Sequence, residues 1–368
     1  MYFYNNNQLK HKIIDKMVEN ITFSNYPGMS IASPSSSPNY KYHWIRDSAI
    51  TMKIILKEYQ KHKNNQLLLL IIHYIENEYK IQTLNTLSGL GEPKINIDGT
   101  CFNEPWGRPQ NDGPALRGLT MIHIYKCFVE NHHETLATHI VLPIIKNDLH
   151  YVIDNRNVVS YDIWEEIKGY HFYTRVVQLK FIKECIYLKQ EHNIQWNIHL
   201  TDIYVSFLDV VLKHIDTNTN SIISSYDENN YVLRYSDASI FLAFCHIDFD
   251  RDILTFLKLK YIVPNYTDLL EYFNHKYKNN TNGHIGRYKD DLYYGGHIWP
   301  MCSLGLIQCL IKLDKNKHAS IINTLIDDII SLSDSFDIAE QYDMDTKLPL
   351  SAKKLTWNYA ELYMSITL

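Results

Sequence analysis

Several chemistries are missing from this chain. Its six cysteines (Cys101, Cys127, Cys185, Cys245, Cys302 and Cys309) include no Cys-x-x-Cys pair. That excludes a thiol metal knuckle or a redox dithiol, and suits a reduced compartment or a protein indifferent to oxidation. There is no Gly-x-x-x-x-Gly-Lys loop to cradle phosphates and no dinucleotide fingerprint. A Gly-x-Ser-x-Gly nucleophile elbow is absent as well. Histidines are scattered, and the run His132-His133-Glu134 lacks metal-ligand spacing and reads as a solvated helix start. A basic excess is also lacking. The net charge of −5 argues against a nucleic-acid partner. The longest apolar stretch, QLLLLIIHYI (66–75), is too short to cross a bilayer. At the N-terminus, MYFYNNNQLKHK shows neither the apolar run nor the cleavage site of a signal peptide. These absences set the expectation of no cofactor, no metal, no nucleic-acid partner and no membrane partner, and they leave the location open with a lean toward the cell interior.

What is present is helical periodicity. Ile13, Ile14, Met17 and Val18 form one stripe. Cys302, Leu306, Cys309, Leu310 and Leu313 form a second, and Ile321, Ile322, Leu325, Ile326, Ile329 and Ile330 a third. No series of alternating strands and no fixed-period repeat interrupts them. Between the periodic segments lie polar stretches rich in Gly, Pro, Asn and Tyr: 26–45, 88–113, 155–170, 274–298 and 337–352. Long loops on a rigid helical body are where sites are built. No linker or composition shift divides the chain, so 1–368 reads as a single domain. Twelve helices would leave about 31 residues for each helix and its loop. That fits a toroid of paired helices, although periodicity alone also allows an open array. Asn-x-Thr triplets at Asn20, Asn265 and Asn279 read as coincidence in a chain this rich in asparagine.

The loops hold the unusual residues. In YDIWEEIKG (161–169), Glu165 stands between Trp164 and Glu166, with Asp162 three residues back. An acid that protonates a leaving oxygen near neutral pH must keep its proton, and burial beside an indole or another carboxylate favours that. The alternative is a solvated acidic first turn of a helix. Glu340-Gln341-Tyr342 offers a second carboxylate, with Ser351, Tyr40 and Tyr342 as candidate donors to a general base. IASPSSSPNYKYHWIRDSA (31–49) is an extended loop running into a helix, with Trp44, Arg46 and Asp47 at its end. Asp47 could accept and Arg46 donate hydrogen bonds to sugar hydroxyls. The plainer alternative is Asp47 as a helix N-cap with Arg46 in a surface ion pair. WGRPQNDGPALR (106–117) is a tight loop after which Arg117 begins a helix, and IGRYKDDLYYGGHIW (285–299) adds Arg287, Tyr293, Tyr294 and Trp299. Five of the six tryptophans lie in or just after these segments, and Trp196 is the exception. Indoles used this way suit stacking on pyranose rings. Two separated carboxylates among them suit acid–base hydrolysis of a glycosidic bond.

Taken in order, these segments, with YSDAS (235–239) and LSAKKLTWNYA (350–360), resemble the glucoamylase family of inverting, exo-acting α-glucosidases from about Ile31 to Tyr359. The resemblance implies an all-α (α/α)6 barrel with its site in a funnel at one end. It makes Glu165 the general acid and Glu340 the general base, with carboxyl groups roughly 6.5–9.5 Å apart to admit a water. Ser351 matches a serine bonded to the base, and Tyr40 a tyrosine beside it. Arg46 and Asp47 match the pair that grips the non-reducing end, while Glu166 and Arg287 match further sugar ligands. Trp106, Ile163 and Trp164 match residues around the acid, and Trp44 and Trp299 match other site aromatics. The implied partner is an α-glucan or maltooligosaccharide, acted on by a monomer without cofactor or metal. There are departures. The chain is shorter than a typical family catalytic domain, no starch-binding module is seen, and Gly295, His297 and Ile298 replace the family's Asn, Asn and Pro. Two other functions fit the same residues: an inverting hydrolase of trehalose, isomaltose or dextran, and a silent carbohydrate-binding protein on the same barrel.

Overall fold

Six helices form a closed inner ring. In chain order they are α2 (Ile45–His62), α4 (Gly113–Glu130), α7 (Phe172–His192), α9 (Ser239–Cys245), α11 (Pro300–Asp314) and α13 (Thr356–Thr367). Each packs on the next, and α13 packs back on α2, which closes the ring. Outside them stand α1 (Asn7–Ile21) on α13, α3 (Asn65–Ile81) on α2, α6 (Leu142–Asp154) on α4 and α8 (Leu200–Leu212) on α7. The outer ring continues with α10 (Lys258–Lys276) and α12 (Ala319–Ser331), both against α11. A one-turn helix, α5 (Glu134–Leu136), leads through a π-turn into α6. The molecule is thus an (α/α)6 barrel. The structure is a computed structural model and describes residues 7–247, 258–280, 282–333 and 335–368.

Patterning sorts the helices between the rings. Along α4 from Gly113 to Ile122 and along α7 from Phe172 to Leu179 every position is buried, because inner helices are covered on all sides there. Along α12 burial is confined to the stripe Ile322, Leu325, Ile326 and Ile329 that faces inward. Cys302 and Cys309 are fully buried in α11, within the single large apolar cluster that runs through both rings. Among the described residues no helix is long and apolar enough to cross a membrane.

The short strands sit in the loops between rings, too brief for an alternating pattern to register in the sequence. β1 (Tyr42–Trp44) pairs antiparallel with β2 (Lys94–Asn96) and sets Lys94 opposite Trp44. β3 (Ser160–Tyr161), β4 (Lys168–His171), β7 (Ser225–Tyr226) and β8 (Val232–Arg234) form one four-stranded sheet in that order. β5 (Ile215–Asp216) pairs with β6 (Ser221–Ile222), and β9 (Gln341–Tyr342) with β10 (Pro349–Leu350).

One expectation changes here. Arg117 does not begin α4 but lies inside it, fully buried. There it holds Asp148 bidentately (2.6 and 2.9 Å) and Glu78 at 3.1 Å, and Glu78 also takes His43 at 2.8 Å. Its charge pins α4 to the outer helices α3 and α6. Of the three Asn-x-Thr sites, Asn20 and Asn265 are buried and hydrogen-bonded, to Thr356 and Ile222 respectively, which leaves only Asn279 at the surface.

Candidate active site

Every loop that runs inward from the outer ring arrives at the same end of the barrel. Five of the six inner helices, through their first turns or the loops before them, line one cavity of about 400 Å³, and the loop before α9 lies behind it with Asp237 on the Trp164 indole. β1 and the first turn of α2 bring Trp44, Arg46 and Asp47 to it, and Tyr40 comes from the loop ahead. The loop before α4 supplies Trp106 and Gly107, and the β3–β4 turn supplies Ile163, Trp164, Glu165 and Glu166. Arg287, Tyr293 and Trp299 enter from the loop before α11, Glu340 from the loop before α13, and Trp357 from α13 itself. All five tryptophans grouped by sequence line this cavity. Trp196 is buried elsewhere, its indole bonded to the Cys185 carbonyl.

Trp164-Glu165-Glu166 is not the first turn of a helix. It is the tip of a tight β3–β4 connection, with Glu165 in the left-handed region (φ 66°). A non-glycine residue there stays only if its surroundings hold it. Asp162 does so. Its carboxylate accepts the backbone N–H of Glu166 (2.8 Å) and Ile167 (3.2 Å), and its carbonyl accepts that of Glu165 (3.0 Å). Burial pushes the Asp162 carboxyl up to about 6 against the pull of Arg234. Trp164 turns its indole N–H onto both oxygens of Asp237 (3.0 Å each). The Glu165 carboxylate accepts from Trp44 Nε1 at 2.7 Å and Gln110 Nε2 at 3.0 Å, with Arg46 Nη2 at 3.9 Å.

Arg46 is not in a surface pair. It is buried and donates to Asp112 (2.9 Å), Gln110 (3.0 Å) and the Ile163 carbonyl (3.3 Å), while its Nε has no hydrogen-bond partner among the described residues. Asp47 lies in the first turn of α2 without capping it, because Trp44 occupies the cap. Burial raises the Asp47 carboxyl to about 6; Arg46 opposes this, and Glu165 and Asp112 add to it. Glu166 is held by Arg287 (2.7 Å), Arg234 (3.2 Å) and the Tyr288 hydroxyl.

Glu340 is buried, with Ser351 and Tyr293 donating to its Oε2, and Tyr40 bonded to Tyr293 at 3.1 Å. Burial pushes its carboxyl up to about 7. The hydroxyl donors Ser351, Tyr40 and Tyr293 and the charge of Arg287 hold that rise down. Tyr342, offered above as a donor to the base, is not one. From β9 it faces the core, and its hydroxyl accepts from the Ala339 amide.

Several neighbours escaped the sequence reading. Gln110 and Asp112 lie inside a motif already quoted, but nothing in their spacing marks them. Lys94 is caged by Tyr42, Trp44, Phe102 and Trp106, with its Nζ 3.1–4.5 Å from the four ring centroids. Burial lowers its pKa to about 8, although Glu165 pulls it back up. Arg234 sits one residue before YSDAS and is reached only through the fold. His297, one of the departures from the family pattern, stacks on Tyr277 (4.8 Å) and bonds the Met344 amide. Among the described residues no group of three or more His, Cys, Asp or Glu could hold a metal ion.

The chain belongs to glycosyl hydrolase family 15, whose model matches residues 12–334. It is 29% identical to Glucoamylase-1 of Arthroderma benhamiae over 92% of this chain and 64% of that protein. To the probable glucoamylase of Schizosaccharomyces pombe it is 28% identical, over 92% of this chain and 84% of the relative. The solved glucoamylase of Hormoconis resinae superposes with a TM-score of 0.85 at 26% identity, covering 98% of this chain and 72% of that one. The chain therefore spans less than two thirds of the Arthroderma relative.

Proposed function

We propose that this protein is a glucan 1,4-α-glucosidase that releases β-D-glucose from the non-reducing ends of α-1,4-glucans or maltooligosaccharides by inversion. One observation carries the reading: Glu165 and Glu340, from loops far apart in the chain, open into the same indole-walled cavity. Glu165 gives its proton to the glycosidic oxygen as the bond to the anomeric carbon breaks. Glu340 takes a proton from the water that attacks that carbon from the other face. A carboxyl poised near 7 suits a base that must lose its proton close to neutral pH and regain it between turnovers. Arg46 and Asp47 hold the terminal sugar, and Glu166 and Arg287 position the rest of the first bond. Trp44, Trp106, Trp164 and Trp299 exclude water from the rings and stack on their apolar faces. Similarity to the named glucoamylases supports the substrate class.

The test is incubation with maltotetraose, followed by anomer-resolved proton NMR. β-Glucose as first product, and loss of about 10²–10⁴ in rate for Glu165→Gln, is the expected result. α-Glucose as first product rejects inversion. Turnover of trehalose or isomaltose in preference to maltose moves the substrate to another α-glucoside. Binding without turnover leaves a silent sugar-binding protein.

A further inference from the structure

Behind the acid turn stands one arginine that touches all three carboxylates around it. Arg234 ends β8, two strands across the sheet from β4, where the turn ends. Its Nη1 donates to Asp162 (2.9 Å) and Asp237 (3.1 Å), and its Nη2 to Glu166 (3.2 Å). The guanidinium lies 3.5 Å over the Tyr288 ring, whose hydroxyl also bonds Glu166. Each of these carboxylates has a separate task. Asp162 closes the 162–167 turn through two backbone amides, Asp237 orients the Trp164 indole, and Glu166 lines the cavity. Asp162 and Asp237 are almost wholly buried, so their charges need a partner inside the protein.

We infer that Arg234 is a positioning residue for proton donation: it locks the turn that carries Glu165 and so fixes where the acid's proton is delivered. The planar fork is what the task needs, because it reaches three oxygens in different directions at once. A lysine keeps the charge but, as a point donor, cannot span them. The consequence is selective. When a glycosidic C–O bond breaks, the bonding pair goes to the oxygen, which takes the proton of Glu165. When the C–F bond of α-D-glucosyl fluoride breaks, fluoride leaves with the pair and needs no proton. Attack by water, with its proton passing to Glu340, is common to both. A misplaced acid therefore slows the first substrate and spares the second.

This inference rests on the hydrolase reading above, and one experiment separates the two. Wild type, Arg234→Gln and Arg234→Lys are compared on maltose and on α-D-glucosyl fluoride, with melting temperature recorded for each. The expected result for Arg234→Gln is a loss of about 10² in kcat on maltose with KM little changed, a loss of less than about tenfold on the fluoride, and partial recovery in Arg234→Lys. If Arg234→Gln does not fold, Arg234→Lys carries the same comparison. Equal losses on both substrates in a folded variant, or no loss on either, overturn the assignment of Arg234. Wild type inactive on both substrates overturns the hydrolase reading and this inference with it.

Discussion

Replacing Ser351 with alanine removes one hydroxyl and should move a pH profile. Ser351 donates to Glu340 Oε2, the carboxylate that burial lifts to about 7. A hydrogen bond to a charged group contributes about 1.5–3 kcal/mol, and about 1.4 kcal/mol corresponds to one pH unit. Tyr293 and Tyr40 stay in place and take up part of the loss, so the rise should be about one unit. The direction follows from what the hydroxyl favours. Its donation stabilises the ionised form, so its removal raises the pKa, and the base is charged only at higher pH. At pH 6 a base titrating near 7 is about one tenth ionised, and one titrating near 8 about one hundredth. In kcat/KM on maltotetraose, Ser351→Ala should therefore lose about tenfold at pH 6, and its ratio to wild type should approach one toward pH 9. A uniform loss at every pH, or an acid limb that stays put or moves down, would refute Glu340 as the titrating base.

Stability should respond to the same carboxyl. Its folded pKa lies above the unfolded value of 4.5, so the fold loses stability as pH rises through this window, by at most about 3 kcal/mol once above 7. Glu340→Gln carries no charge and should melt above wild type at pH 8, with the gain fading toward pH 4 in calorimetry. A Cβ at Gly107 would meet Tyr161 Cδ1 at 2.8 Å and the Glu165 carbonyl at 3.0 Å. Gly107→Ala should push the acid turn and lower kcat by about tenfold or more in a protein that still melts cooperatively. Arg117→Met strands Glu78 and Asp148 inside the barrel and should cost about 3–5 kcal/mol in urea titration at pH 8. The cost should shrink below pH 6, because burial already lifts Asp148 to about 6 and its neutral form needs no cation.

Legibility followed the range of the interaction. Stripes such as Ile322, Leu325, Ile326 and Ile329 depend on neighbours three and four positions away, and these are visible in sequence. Closure of the ring was not, because the contact of α13 with α2 joins segments some three hundred residues apart. Within the cavity, residues beside an unusual tryptophan or glutamate could be picked out from their own motif. Arg234 and Lys94 could not, since one acts across a four-stranded sheet and the other through a strand pair two or three residues long. Tyr342 was misjudged because proximity to Glu340 in sequence does not place the two side chains together: Glu340 ends the loop before β9, while Tyr342 lies in β9 with its ring in the core. Arg117 was misjudged for a related reason. Its place four residues inside α4, with partners on α3 and α6, shows only in the fold.

The seam where α13 and the loop ahead of it meet α1 and the loop ahead of β1 has a consequence for how this protein comes into being. Asn20 Nδ2 reaches Thr356 Oγ1 at 2.6 Å, and Ser33 reaches the Lys353 carbonyl. A ribosome makes Trp44 and Asp47 long before Glu340, so a nascent chain holds only part of the cavity wall until Glu340 has emerged. Contacts of such long sequence separation are slow to form. Released glucose would then report that the whole circle has shut, which makes activity a sensitive gauge of correct folding.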